Sequence, residues 1–210
     1  DVLAVLGRLL QDQRFLGDLA LTAQEIAVAF LIVGPLGLGV GFVIGESEAA
    51  NRALGPLLNL LLSIPKSIFL PIFTFAFGIG FLQKVIFAVT LSFFIVVLSG
   101  IAAARSVPAG MVQAVRALGA TRLQIYVRVY LPAMEPLIVE GLRMAMIFAI
   151  TGVLLAEMYG APHGIGRVIF AWGELAKRAA MWELATATSF LYAGADILVM
   201  YHPQAAMAIK

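Results

Sequence analysis

Apolar residues dominate the chain and fall into runs separated by short polar stretches. Two runs, Ile26–Ile44 and Val85–Ala104, contain no charged residue. About 18 apolar residues in a helix suffice to cross the hydrocarbon of a bilayer, so each predicts a spanning helix. A third apolar region, from Leu54 to about Leu82, is interrupted at Pro56, Pro65, Lys66 and Pro71. Proline removes a backbone donor and kinks a helix, and such breaks persist at membrane depth only where protein or a wet cavity covers the freed groups. This region therefore predicts a short interfacial helix over Pro56–Ser63 and a spanning helix from about Pro65, closed by Gly78 and Gly80. A fourth span opens at Pro132, carries Glu135, Glu140 and Arg143, and continues as a clean run from Met144 to Ala156. Leu184–Tyr201, interrupted by the one charge of Asp196, makes a fifth.

The intervening pieces complete the plan. Residues 1–23 place leucines at roughly helical spacing among Arg8, Asp12, Arg14 and Asp18, the pattern of an amphipathic, interfacial lead-in. Gly45–Arg52 reads as a polar turn. Tyr159–Met181 reads as a loop holding the glycine-rich Gly160–Gly166 and a semi-amphipathic piece, Arg167–Arg178. The expectation is an all-α, polytopic membrane helix bundle of about five spans. It forms one membrane domain over residues 24–201, with a short tail at 202–210.

The most distinctive stretch lies between the third and fourth spans. Arg105, Arg116, Arg122 and Arg128 fall in or beside Val112–Pro132, and no Asp or Glu occurs from Ala104 to Arg128. Lipid cannot take up such a segment. Its basic character places the connection 105–132 on the cytoplasmic side, which, with five spans, puts the start of the chain outside and its end inside. At about 25 residues it is much longer than the ~2–8 residues usual between bundle helices. Met111–Leu118 predicts one short helix, ended by Gly119, which can take a positive φ. Thr121 is a fair N-cap for a second helix through Tyr130, which Pro132 stops. Leu123, Val127 and Tyr130 are expected to hold the pair against the membrane face.

Composition narrows the chemistry. Of 210 residues, 62% are hydrophobic and 12% charged, with a mean hydropathy of +1.00. The 14 Lys and Arg nearly balance 12 Asp and Glu, which argues against a nucleic-acid partner. There is no cysteine, and His163 and His202 lie too far apart for a local metal motif, so no metal site is expected. No G-x-x-x-x-G-K-[ST] phosphate loop occurs, so ATP hydrolysis is not expected of this chain. Nor does any Ser, His and Asp arrangement or carboxylate pair suggest catalysis. The chain begins at Asp1, and a segment preceding it is expected.

Gln113, Ala114, then Gly119, then Val129, Leu131 and Pro132 resemble the coupling loop of ABC-transporter permease subunits. There an acidic residue and alanines precede a glycine, and an I-x-L-P element follows. Gln113 stands where that family usually has Glu, keeping length and hydrogen bonding but losing charge; Val129 stands where Ile is common. Ser63-Ile64-Pro65-Lys66, Leu70-Pro71-Ile72 and Phe77-Gly78-Ile79-Gly80 are similar to the permeases of nitrate, sulfonate, taurine and pyrimidine-precursor importers. So are Gly141-Leu142-Arg143, Ala156-Glu157-Met158 and Gly164-Ile165-Gly166.

The resemblance covers about Thr22 to Asp196 and implies a multi-pass subunit of the bacterial inner membrane. By that resemblance it forms the pathway for a small, anionic solute. Its implied partners are membrane lipid, a second permease copy, two nucleotide-binding ATPase subunits that hold ATP and magnesium, and an extracytoplasmic solute-binding protein. The resemblance assigns Gln113, Ala114, Arg116, Ala117, Leu118, Gly119 and Ala120 to a short helix docked on the ATPase, with Arg116 reaching an acidic group there. Arg128 reads as an anchor to anionic lipid.

Ionisable residues within spans are functional candidates by default. Arg143, Glu157 and Asp196 are therefore candidates for the pathway or gate, with Gly164 and Gly166 in the outer loop. Each also has a plainer role: Arg143 pairing with Glu140, Glu157 capping or anchoring a loop at the outer interface, Asp196 in a structural hydrogen bond. Two other functions fit the pattern: a secondary transporter binding solute at broken helices near Pro65, and a membrane scaffold without transport.

Overall fold

The computed structural model describes Gly7 and residues 9–192. Among them the backbone is helical nearly throughout. Helix α1 runs Gln13–Glu46, 34 residues or about 51 Å at ~1.5 Å per residue. The Asp12 carboxylate caps it by accepting from Arg14 N–H at 2.9 Å. From Gln13 on, the amphipathic lead-in and the first span are thus one unbroken helix across residues 23 and 24.

The expected polar turn at Gly45–Arg52 shrinks to Ser47. Its hydroxyl accepts from Ala50 N–H at 3.2 Å and so starts α2, Glu48–Ser63. Pro56 lies within α2 instead of opening it. A single 3₁₀ turn, Lys66–Ile68, leads to α3, Phe69–Phe77. With nine residues, or roughly 14 Å, α3 is too short to cross alone, which corrects the full span expected from Pro65. The two pieces meet at 72°. Pro65 forces the break, since it lacks the N–H that would continue α2 and biases Ile64 to extended backbone.

Helix α4 covers Phe81–Arg105 and α5 Ala109–Ala117. Next, α6, Arg122–Ile125, passes through a π turn, Tyr126–Tyr130, into α7, Leu131–Met158. Last, α8 begins at Ile165 and is described to Tyr192. The predicted loop Tyr159–Met181 is therefore only the short connection before Ile165, and the semi-amphipathic piece is the start of a long helix. This helix runs into the expected fifth span, half of which, with Asp196, lies outside the described residues.

The core is the packing of α1, α4 and α7. Gly37, Gly41 and Gly45 place one face of α1 on α4: a β-carbon at Gly41 would sit 2.9 Å from Gly100 Cα, and one at Gly45 would sit 2.7 Å from Ala104 Cβ. Helix α4 takes α7 through Gly141, which abuts Ser99, and Gly152, which abuts Ala88. Small residues let backbones approach where packing, rather than water, drives helix association. The small-residue spacing of α1 thus serves an intramolecular contact.

Direction follows from these contacts. Thr22 and Glu25 in α1 lie beside Glu157 at the end of α7 and Lys84 at the start of α4. Glu46, at the other end of α1, meets Tyr126. So α1 and α4 run parallel, with α7 antiparallel to both, and the bent pair α2–α3 returns the chain across the membrane between them. Among the described residues three helices are long and apolar enough to cross a membrane, and the bent pair, counted as one span, makes a fourth.

Candidate functional site

The arginine-rich connection folds largely as its sequence dictates. Gly119 ends α5 with φ of +82°, a conformation that glycine adopts without steric penalty. Thr121 accepts from Gln124 N–H at 3.4 Å while the Gln124 side chain accepts from Thr121 N–H at 2.9 Å. This reciprocal capping box satisfies two donors that a helix start otherwise leaves free.

Pro132 does not stop the second helix. It has no N–H for the Arg128 carbonyl, and its ring would crowd that oxygen in a regular turn. The turn before it widens instead, Leu131 N–H bonding to the Tyr126 carbonyl, and the helix continues into α7.

The faces also differ from expectation. Leu123 is 72% exposed and Val127 is exposed, while Ile125 and Val129 are buried. Ala103, Ala104, Val107, Val129 and Met134 form a small core under the segment, with Val112, Val115 and Tyr130 packed against it. Phe42 stacks edge-on to both Tyr126 and Tyr130, and the Tyr126 hydroxyl donates to Glu46 at 2.5 Å. These contacts leave Gln113, Ala114, Arg116, Ala117, Leu118 and Gly119 facing outward, and Ala120 partly covered. Leu118 is 87% exposed. Arg116 and Arg122 flank a hollow that Glu46, Val112, Ile125, Tyr126 and Tyr130 complete.

At the opposite end of the bundle lies a second polar assembly, entirely inside. Lys84 Nζ stands 2.5 Å from Glu25 Oε1 and 3.7 Å from Glu157 Oε1, and all three side chains are essentially out of solvent. Thr22 Oγ1 donates to Glu157 Oε1 at 2.7 Å and accepts from Ile165 N–H at 3.0 Å. Gly166 N–H donates to Glu157 Oε2 at 2.7 Å, and Gly164 N–H to Asp18 Oδ1 at 3.0 Å. The carboxylates of Glu157 and Asp18 thus cap the start of α8, where free N–H groups and the helix dipole favour negative charge.

Apart from its ion pair with Lys84, Glu25 has no hydrogen-bond partner at either carboxylate oxygen. Burying charge is tolerable only when it is paired, so Lys84 is what permits Glu25 to lie there. Gly164 (φ +120°) and Gly166 are required by space as well: a β-carbon on either would run into the Glu157 side chain.

Of the candidate pathway residues, the structure brings together Glu157, Gly164 and Gly166. Arg143 stands apart, exposed and 3.5 Å from Glu140, as an ordinary surface pair. The partners that sequence reasoning missed are Glu25 and Lys84. The available signal was the spacing Asp18, Thr22, Glu25, which puts three polar groups on one face of the helix entering the first span, with a lysine directly before the third.

Residues 34–203 match the family described as binding-protein-dependent transport system inner membrane component. The chain is similar to the taurine transport system permease protein of Escherichia coli (strain K12), 30% identical over 156 residues, which are 74% of this chain and 57% of that protein. It is also similar to the formylaminopyrimidine transport permease protein of Halalkalibacterium halodurans, 29% identical over 157 residues, 75% of this chain and 63% of that one. The nitrate import permease protein of Leptolyngbya laminosa is 27% identical over 161 residues, 77% of this chain and 57% of that one. The chain spans little more than half the length of these curated relatives. With its apolar crossing helices and a family match over most of its residues, the chain belongs to the binding-protein-dependent transport system inner membrane components, as a multi-pass protein of that membrane.

Proposed function

We propose that this chain is the transmembrane permease subunit of an ABC importer. It lines the route of a small anionic solute and couples uptake to ATP hydrolysis in a partner. The observation that carries this reading is the uncovered face of α5 and its glycine turn, on the arginine-rich side of a family member built to cross the membrane. A partner ATPase would receive Leu118 and the turn, with Arg116 reaching an acidic group in its cleft. ATP and magnesium would be bound by that subunit. A second permease copy and an extracytoplasmic solute-binding protein complete the assembly. Relatives named for taurine and nitrate transport support an anionic solute, since sulfonate and nitrate groups carry negative charge.

The test is co-purification with a nucleotide-binding subunit and ATP-driven uptake by the full complex in proteoliposomes. Gly119→Val is expected to break both. Nothing lies within 4 Å of a β-carbon placed at Gly119, so the defect would come from its positive φ alone. That conformation costs any side-chain residue about 1–2 kcal/mol, and a β-branched one more. Gln113→Glu, by contrast, is expected to leave assembly intact. Normal assembly and coupling in Gly119→Val would defeat the turn argument, and wild-type uptake without any ATPase subunit would favour a secondary transporter working at the break near Pro65.

A further inference from the structure

The break between α2 and α3 holds a cation in an unusual setting. Lys66 Nζ donates to the Leu62 carbonyl at 3.1 Å and lies 5.8 Å from the centroid of the Phe94 ring. Phe94 is near the middle of α4, so the ammonium sits near the centre of the membrane. Among the described residues no carboxylate is within ion-pair distance of it. Lys84, the other lysine within the bundle, has two.

A cation at that depth is costly against lipid, and a carbonyl with an aromatic face leaves part of its charge unanswered. The surroundings are open on one side. Ser63, Ser67 and Ile68 are exposed at the break, and along α3 Ile72 and Phe75 are uncovered, Phe75 at 93%. A groove of about 340 Å³ beside the break is lined by Ser67, Ile68, Leu70, Phe87 and Tyr159. Bent backbone at this depth requires a protein or water neighbour on its open side.

The geometry points to Lys66 as a solute-contacting residue: its ammonium forms the mid-membrane station for the anionic group of the transported solute. This rests on the importer reading above. The Leu62 carbonyl near the end of α2 holds the lysine in place. The solute class is a compact oxyanion or a small molecule ending in one, such as a sulfonate.

The plainer role is that Lys66 merely caps α2, and two variants separate the possibilities. Lys66→Gln keeps an N–H donor for the Leu62 carbonyl but loses charge; Lys66→Arg keeps charge but alters the cap. The full complex, with ATPase and binding protein, is reconstituted in proteoliposomes. Uptake of labelled taurine, methanesulfonate and nitrate is then measured at equal amounts of assembled complex.

For whichever anion the wild type carries, Lys66→Gln is expected to lose about tenfold or more in uptake, as when one member of a desolvated charge pair is removed. Lys66→Arg is expected to retain most of it. Wild-type uptake in Lys66→Gln, or equal impairment of both variants, would overturn the assignment while leaving the importer reading intact. ATP-driven uptake by the wild type of neutral solutes alone would overturn it too, together with the anionic-solute reading. No ATP-driven uptake by the wild type would instead defeat the importer reading on which the assignment rests.

Discussion

Lys84→Met is expected to destabilise the protein by about 3–5 kcal/mol, the loss seen when one partner of a buried ion pair is removed. The physical reason is the asymmetry of the cluster. Glu157 would keep Thr22 and Gly166 as donors, but Glu25 would be left fully buried with no partner at all. The double variant Glu25→Leu/Lys84→Met removes the orphaned charge and is expected to return to within about 1–2 kcal/mol of the wild type, because apolar replacement of a whole buried pair is often near neutral. Unfolding in mixed detergent with increasing dodecyl sulfate, followed by circular dichroism, measures both. Equal midpoints for Lys84→Met and the wild type would show that this cluster does not hold α1, α4 and α7 together.

Gly41→Val is expected to cost about 3 kcal/mol or more, at the upper end of what overpacking produces, and to leave little folded protein. The β-carbon alone would collide with the Val97 carbonyl oxygen and stand 2.9 Å from Gly100 Cα. These are backbone atoms of a neighbouring helix, with no side-chain rotamer to relieve them. The contrast is Gly39, two positions earlier in the same helix, where a β-carbon would meet nothing within 4 Å. Gly39→Ala is expected to be neutral or to stabilise by about 0.5–1 kcal/mol, from the lower backbone entropy of alanine. Thermal inactivation of the purified variants in detergent ranks them, and similar behaviour of the two would contradict the close packing of α1 on α4.

That contrast also marks what a sequence can reveal. The runs Ile26–Ile44 and Val85–Ala104 and the opening near Pro132 located three long helices, because mean apolarity over a span needs no tertiary information. The turn at Gly119 and the cap at Thr121 were equally legible, since both are set by the local backbone. What stayed hidden depended on neighbours distant in sequence. Gly39 and Gly41 look alike until α4 is laid against one of them. Glu25 and Lys84 looked like end-of-span polar residues, yet each makes the other's burial possible across 59 positions of chain. Leu123 and Val127 were expected to hold the pair against the membrane face, but the protein contacts there are made by Ile125, Val129 and Tyr130. Pro132 was taken as a stop because its effect on a regular helix is severe; a single widened turn removed the conflict.

The widened turn has a mechanical consequence. From Arg122 to Met158 the backbone is one continuous helical rod of 37 residues, about 55 Å at ~1.5 Å per residue, and no loop interrupts it. One tip follows the glycine turn beside Leu118, and its far tip carries Glu157, which grips α1 and the start of α8. A sideways load at one tip therefore arrives at the other as a tilt. The most compliant point is the turn at Tyr126–Tyr130, next to Pro132 and Pro136, where ladder bonds are missing. Because that soft point lies close to the tip beside Leu118, the rest of the rod is one long, stiff arm.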